Sequence, residues 1–361
     1  MKEEGPNFNS RGDKMKIGIM AAWNTNSGVA MHAEPIGKAF KEMGHKVTVF
    51  TFSKQDYHGE GVTAKDESYV KRCFGTRTGT NVLDPRPFME TDFDILLVED
   101  VGMLPVEKLA NIIPVLKHKA KVIHVVHENR MCDHSWFYKI DWDKIVYFDH
   151  RQDFLRKVYP EAEYVPFPCY KSRRGKKLAA RKRLKLPMDK KIIYSFGHRG
   201  YHSYYRDLPP KLKRKAILLH VVPADYQMLE ELTPADWRMV RKCGVLPTKE
   251  FDDYLFASDA VILHKFQSRF HAVISSTVYQ AMGAGCPIFV PQQSDFFHDW
   301  TNEVVHYRDI TALNKKLIDL LGSEKKRKSL RKNADRFVEA HSPKKIAGQF
   351  INLFKRLLSE K

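Results

Sequence analysis

Residues 275 to 291, "SSTVYQAMGAGCPIFVP", gather three hydroxyl side chains, Ser275, Ser276 and Thr277, at the start of a short apolar segment. Serine and threonine are helix N-cap types, and Gly283 or Gly285 followed by Pro287 is a helix stop. The stretch therefore reads as cap, helix, tight turn and then a buried strand at 288 to 290. A helix start offers unpaired backbone N–H groups and a positive dipole end, which suit an anion such as phosphate. The same hydroxyls serve equally in a helix capped for stability alone. Arg199 and Arg206, in "GHRGYHSYYR", supply guanidinium groups within reach of a phosphate held at Ser275. Glu99 and Asp100 close an apolar run, where a carboxylate can take a proton, bind substrate or cap the next helix. His124 and His127 suggest a metal, but three residues apart on a strand they point to opposite faces, so no metal site is expected from the pair. His124 reads as a core or backbone-bonded histidine. Cys132 and His134 complete no metal spacing. Gly197 and Gly200 make no dinucleotide fingerprint, and neither a phosphate-loop lysine motif nor a serine elbow is present.

These residues need elements to hold them. "KIGIMAA" at 16 to 22 reads as a strand, "NTNSG" at 24 to 28 as a loop, and Val29, Ala33, Ile36, Phe40 and Met43 as one face of a helix ending at Gly44. Pro35 predicts that the regular helix starts only near Glu34. Further strands are expected near 46, at 94 to 99, 121 to 126 and 144 to 148, with helices at 105 to 118 and 134 to 140. The pattern restarts with strands at 190 to 197, 216 to 223 and 259 to 263, and closes with helices at 309 to 321, 323 to 340 and 343 to 358. Alternation of this kind implies α/β architecture with two doubly wound, Rossmann-like parallel sheets. The expected organisation is a disordered tail at 1 to 14, a first domain at 15 to 165 and a basic linker at 166 to 188. A second domain follows at 189 to 342, then a C-terminal helix at 343 to 361 that packs back on the first domain. Ligands of open α/β sheets sit beyond the carboxyl ends of the strands, so the loops at 24 to 28, 127 to 131 and 197 to 206, and the approach to Ser275, should face a cleft between the domains.

Composition narrows the partners. A chain of 361 residues fits two domains, and 43% hydrophobic residues are enough to fill both cores. No apolar run approaches the roughly 18 residues of a membrane span. Five scattered cysteines argue against a disulfide framework and for a reducing cytoplasm. Sixty-one Lys and Arg against 43 Asp and Glu leave a charge of +18, which favours an anionic partner. Nine basic side chains fall between 171 and 185 without an acid, and six more in "KKRKSLRK" at 325 to 332. Either cluster also fits a solvated helix face. Neither holds the interleaved aromatics that single-stranded nucleic acid would stack on, so nucleic acid is not the expected partner.

"KIGIMAAWNTNSG...GKAFKEMGHKVTVFTF" resembles the opening of GT-B fold glycosyltransferases of the family four type. "RKRLKLPMDKKIIYSFGHR" is similar to their second-domain entry. "GVLPTKEFDDYLFASDAVILHKF...SSTVYQAMGAGCPIFVP" resembles the segment that usually ends in "EAMAxGxPVV". The likeness runs from about 16 to 358, specific in the last segment and loose elsewhere. It implies transfer of a sugar from a nucleotide diphosphate sugar, with the nucleotide on the second domain, the acceptor on the first, and no metal or other cofactor. Position by position, the resemblance sets Gly28 against the donor. It gives Arg199 or Arg206 the diphosphate, and Ser275, Ser276 and Thr277 the phosphate cradle. It matches His127 to a histidine found near the sugar, and it implies retention of the sugar's configuration. Inversion would need a protein base, for which His127, Glu99 and Asp100 are the candidates. Departures are that Gln280 and Ala272 stand where the family usually has two glutamates, the second on the ribose, and that His198 stands where an arginine is usual. Three functions follow. One is a glycosyltransferase docking a basic surface on anionic lipid to reach a lipid-linked acceptor, hence a peripheral membrane location. The others are a GT-B nucleotide-binding protein that has lost catalysis and a nucleic-acid-associated basic protein.

Overall fold

A computed structural model describes residues 14–54, 62–75, 81–100, 102, 104–127, 139–196, 204–224, 232–243, 246, 248–266 and 274–360. Residues 1–13 of the expected tail, and Arg199 with its loop, lie outside them.

Among the described residues, thirteen strands form two sheets. In the first, β1 (Lys16–Met20), β2 (Lys46–Phe52), β3 (Val70–Phe74), β4 (Ile95–Glu99), β5 (Lys121–Val125), β6 (Lys144–Tyr147) and β7 (Glu163–Tyr164) run in the order β3-β2-β1-β4-β5-β6-β7. In the second, β8 (Lys191–Phe196), β9 (Ala216–Pro223), β10 (Arg238–Cys243), β11 (Ala260–Ile262), β12 (Ile288–Pro291) and β13 (Val305–Tyr307) run in the order β10-β9-β8-β11-β12-β13. Every pairing between these strands is parallel. Strands β1, β4, β5, β8 and β11 are apolar runs buried on both faces, as a sheet covered by helices on each side requires. The strand order reverses between β1 and β4 and again between β8 and β11, so each sheet has one crevice at its carboxyl edge there.

The first helix corrects the expectation set by Pro35. It runs unbroken from Gly28 to Glu42 with Pro35 inside it, because Ser27 Oγ caps it by accepting from Ala30 N at 3.1 Å. Val29, Ala30, Ala33, Ile36, Ala39 and Phe40 are buried along it. Burial of that face outweighs the roughly 3 kcal/mol that an internal proline costs. The C-terminal helix, Pro343–Ser359, packs on this first helix, with Phe354 and Phe350 5.7 and 6.4 Å from the Phe40 ring.

The basic stretch is a strap. Lys171 pairs with Glu42, Arg173 with Asp252, Arg174 with Asp335, Lys177 and Arg181 with Asp259, and Arg183 with Asp253. Six of its nine cations are thus matched by acids from elsewhere in the fold, which removes most of the free positive surface expected there. The strap also explains the glycines that end the Ser276–Met282 helix. A Cβ on Gly283 would stand 2.7 Å from the carbonyl oxygens of Tyr170 and Lys171, and Gly285, at φ +74, has the Arg174 guanidinium where a Cβ would point.

Candidate functional site

The carboxyl ends of β1 and β4 build one wall. Asn24, at φ +56, and Asp100, at φ +61, hold the left-handed backbone just beyond β1 and β4, a conformation that concentrates at binding sites. The Asn24 amide donates to Asp66 and Glu67, and its backbone N–H to Glu34 Oε1 at 2.7 Å, which fixes the loop that delivers Ser27 and Gly28 to the helix start. Asp100 is half-buried and its Oδ1 accepts from Gly102 N.

One turn inside the first helix, His32 meets Glu99 and His127. Glu99 Oε2 lies 2.9 Å from His32 Nδ1 and 3.2 Å from His127 Nε2. The side chains of His32 and Glu99 are each 1% exposed and that of His127 is 9% exposed, so His127 is the member nearest solvent. Burial pushes the Glu99 carboxyl up, but the facing His32 and His127 imidazoles outweigh it and hold the group well below the usual carboxylate range. Together the three donor atoms could hold a metal ion, all lying within 4.8 Å of one another. The sequence sets His124 and His127 on opposite faces of their strand, and the fold brings His127 beside Glu99 with His32. His124 is buried, its Nδ1 at 2.8 Å from Val98 O and its ring stacked on Trp142. His32 went unread because a lone histidine in a helix carries no signal until β4 and β5 bring their ends beside it.

The second wall lies at the β8 and β11 ends. Ser275 occupies the N-cap position of the Ser276–Met282 helix without making a side-chain cap bond. Its hydroxyl and that of Thr277 accept instead from Lys265 Nζ, at 3.2 and 3.1 Å. Sequence reading passed over Lys265, although a lysine just past the end of a parallel strand at a topological switch point is the available signal. Ser276 and Gln280, one turn apart, are the partly exposed residues of a helix whose other members are buried, so they share its open face. Arg206 is exposed, and its carbonyl accepts from the Arg238 guanidinium.

The walls meet at Gly28, where an added Cβ would lie 3.7 Å from Ser276 Oγ. The two helix starts therefore face each other between the sheets, Lys265 beside the second and the buried triad inside the lobe of the first.

No protein-family model matches the chain. The fold is that of the GT-B glycosyltransferases. It is similar to sucrose-phosphate synthase from Thermosynechococcus elongatus, with a TM-score of 0.68 and 13% identity over 96% of this chain and 100% of that one. It is similar to Anabaena HepE in complex with UDP-glucose, with a TM-score of 0.67 and 10% identity over 95% and 100%. The catalytic domain of starch synthase IV from Arabidopsis thaliana, bound to ADP and acarbose, matches with a TM-score of 0.67 and 10% identity over 96% and 100%. Among the described residues, no helix is long and apolar enough to cross a membrane.

Proposed function

We propose that this chain is a family-four-type glycosyltransferase that moves a sugar from a nucleotide diphosphate sugar to an acceptor held by the first lobe. The observation that carries this reading is the meeting of the capped first helix at Gly28 with Ser276, beside Lys265. Amide donors, hydroxyls and a cation converge there on one spot of the interlobe cleft. That spot suits a diphosphate, whose leaving charge is then met by N–H groups and an ammonium without a metal on the phosphates. Similar folds hold UDP-glucose and ADP, which supports the class of ligand. Gln280, partly exposed one turn from Ser276, would hydrogen-bond a ribose hydroxyl in this reading. His127, the most exposed of the triad, faces the sugar. With retention, the departing phosphate oxygen takes the acceptor proton and His127 orients the sugar; Glu99 is buried behind it. The acceptor is lipid-linked or met at an anionic membrane, a part of the proposal that rests on the second basic cluster. There Lys326 and Lys328 already pair with Asp319 and Glu324.

The test is a thermal-shift panel of nucleoside diphosphates and their sugars, followed by assay of free diphosphate release with glycan and lipid acceptors. A shift with turnover supports the transferase. A shift with no turnover on any acceptor or water leaves a nucleotide-binding protein, the reading that Gln280, in place of an acid, would favour. No shift with any nucleotide overturns both.

A further inference from the structure

We infer that His32, Glu99 and His127 form a binding site for one divalent transition-metal ion, of the zinc class, in the first lobe. The donor set is two imidazole nitrogens and one carboxylate oxygen, the three-protein-ligand pattern of zinc sites that keep a fourth position open. Their spacing fits. A tetrahedral ion about 2.0–2.2 Å from each donor holds them roughly 3.3 Å apart, and here the two imidazole nitrogens stand 2.9 and 3.2 Å from the shared Glu99 oxygen. Side-chain exposure of 1% at His32 and Glu99 and 9% at His127 makes His127 the member nearest solvent.

The surroundings argue the same way. Among the described residues, the charge partners of the buried Glu99 carboxylate are these two imidazoles, and a buried carboxylate needs a full positive charge beside it. His32 Nε2 is buried with no hydrogen-bond partner among the described residues, and the rings of Phe148, Phe167 and Phe350 stand 5.4, 5.2 and 6.2 Å from the imidazole. The competing arrangement is direct contact of His32 and His127 with Glu99 and no ion.

The inference does not depend on the donor reading. Chelated, dialysed protein is titrated with Co(II) and Zn(II), and wild type, His32→Gln and Glu99→Gln are compared after circular dichroism confirms their fold. The expected result is one equivalent of Co(II) with tetrahedral ligand-field absorption and a rise in Tm with Zn(II). Affinity should fall about a hundredfold or more in each variant, as loss of a direct ligand exceeds the 10–100-fold typical of its supporting partners. Should a variant not fold, X-ray absorption on the wild-type Zn(II) form decides: nitrogen and oxygen neighbours with imidazole features and no sulfur support the site. Absence of stoichiometric binding, equal binding by the variants, or sulfur in the first shell overturns it, the last two marking adventitious sites on the other histidines and cysteines. A UDP thermal shift recorded with and without chelator reports separately on the nucleotide site.

Discussion

Gly28 of the first lobe lies against Ser276 of the second, so close that a Cβ on Gly28 would stand 3.7 Å from the serine hydroxyl oxygen. That is ordinary van der Waals contact, and Gly28 does not need a positive φ, so alanine fits without moving the lobes. A branched side chain adds two methyls beside Ser276. Gly28→Ala should keep wild-type stability to within about 1 kcal/mol and keep the UDP-induced thermal shift. Gly28→Val should fold and lose most of that shift, because its methyls fill the space where the helix starts converge. A valine variant that binds UDP like wild type would remove the diphosphate from this spot.

Lys265 is the cation that reaches both Ser275 and Thr277. Charge-assisted hydrogen bonds contribute about 1.5–3 kcal/mol each, so Lys265→Met should weaken nucleoside diphosphate binding roughly 10–100-fold. Uridine, which lacks phosphate, should bind the variant as it binds wild type. Calorimetric titration of both ligands checks the contrast, and an equal loss for uridine would assign Lys265 to the base or to folding.

The contrast between legible and illegible parts of this fold is physical. Strands β1, β4, β5, β8, β9 and β12 are apolar runs that announce themselves because both faces are buried. The four strands without such a signal, β3, β7, β10 and β13, are the sheet edges. Edge strands are short or charged, and "RMVRKC" of β10 carries three basic residues in six. At the site, Ser275 to Thr277 and Glu99 were visible as chemistry-bearing types beside strand ends. His32 and Lys265 act through partners 67 and 10 or 12 residues away, and spacing along the chain does not encode those contacts. The ion pairing of the basic stretch is hidden for the same reason, since Glu42 lies far upstream and Asp252, Asp253, Asp259 and Asp335 far downstream.

Asp259 is where the strap is anchored. Its Oδ2 accepts from Arg181 at 2.7 Å and from Ile192 N at 2.9 Å, its Oδ1 from Lys177 at 2.7 Å, and Arg181 and Asp259 are 4% and 7% exposed. Removing Arg181 takes the buried cation from Asp259, leaving it Lys177 and Lys191, and strips a donor from the carbonyls of Ala257 and Lys190. Arg181→Met should therefore cost about 3–5 kcal/mol in urea unfolding, and pairing it with Asp259→Leu should recover part of that loss. A loss below about 1 kcal/mol for the single variant would mean that the strap is not held by this pair.

Asp66 gives the loop beside Gly28 its acid sensitivity. Its hydrogen bonds from Arg72, helped by one from the Asn24 amide, hold its carboxyl down at about 2. The unfolded value is roughly 3.9, so the folded group is the stronger acid. Its stabilising contribution is then fully present above the unfolded value and is lost as pH falls from roughly 4 toward 2, where the folded carboxylate takes up its proton. Asp66→Asn should be less stable than wild type at neutral pH, and the gap should close across that window. Unfolding at a series of pH values in both proteins checks it. A gap independent of pH would show that Asp66 acts through hydrogen-bond geometry alone, and that the Asn24 loop is fixed by Glu34 and Glu67 instead.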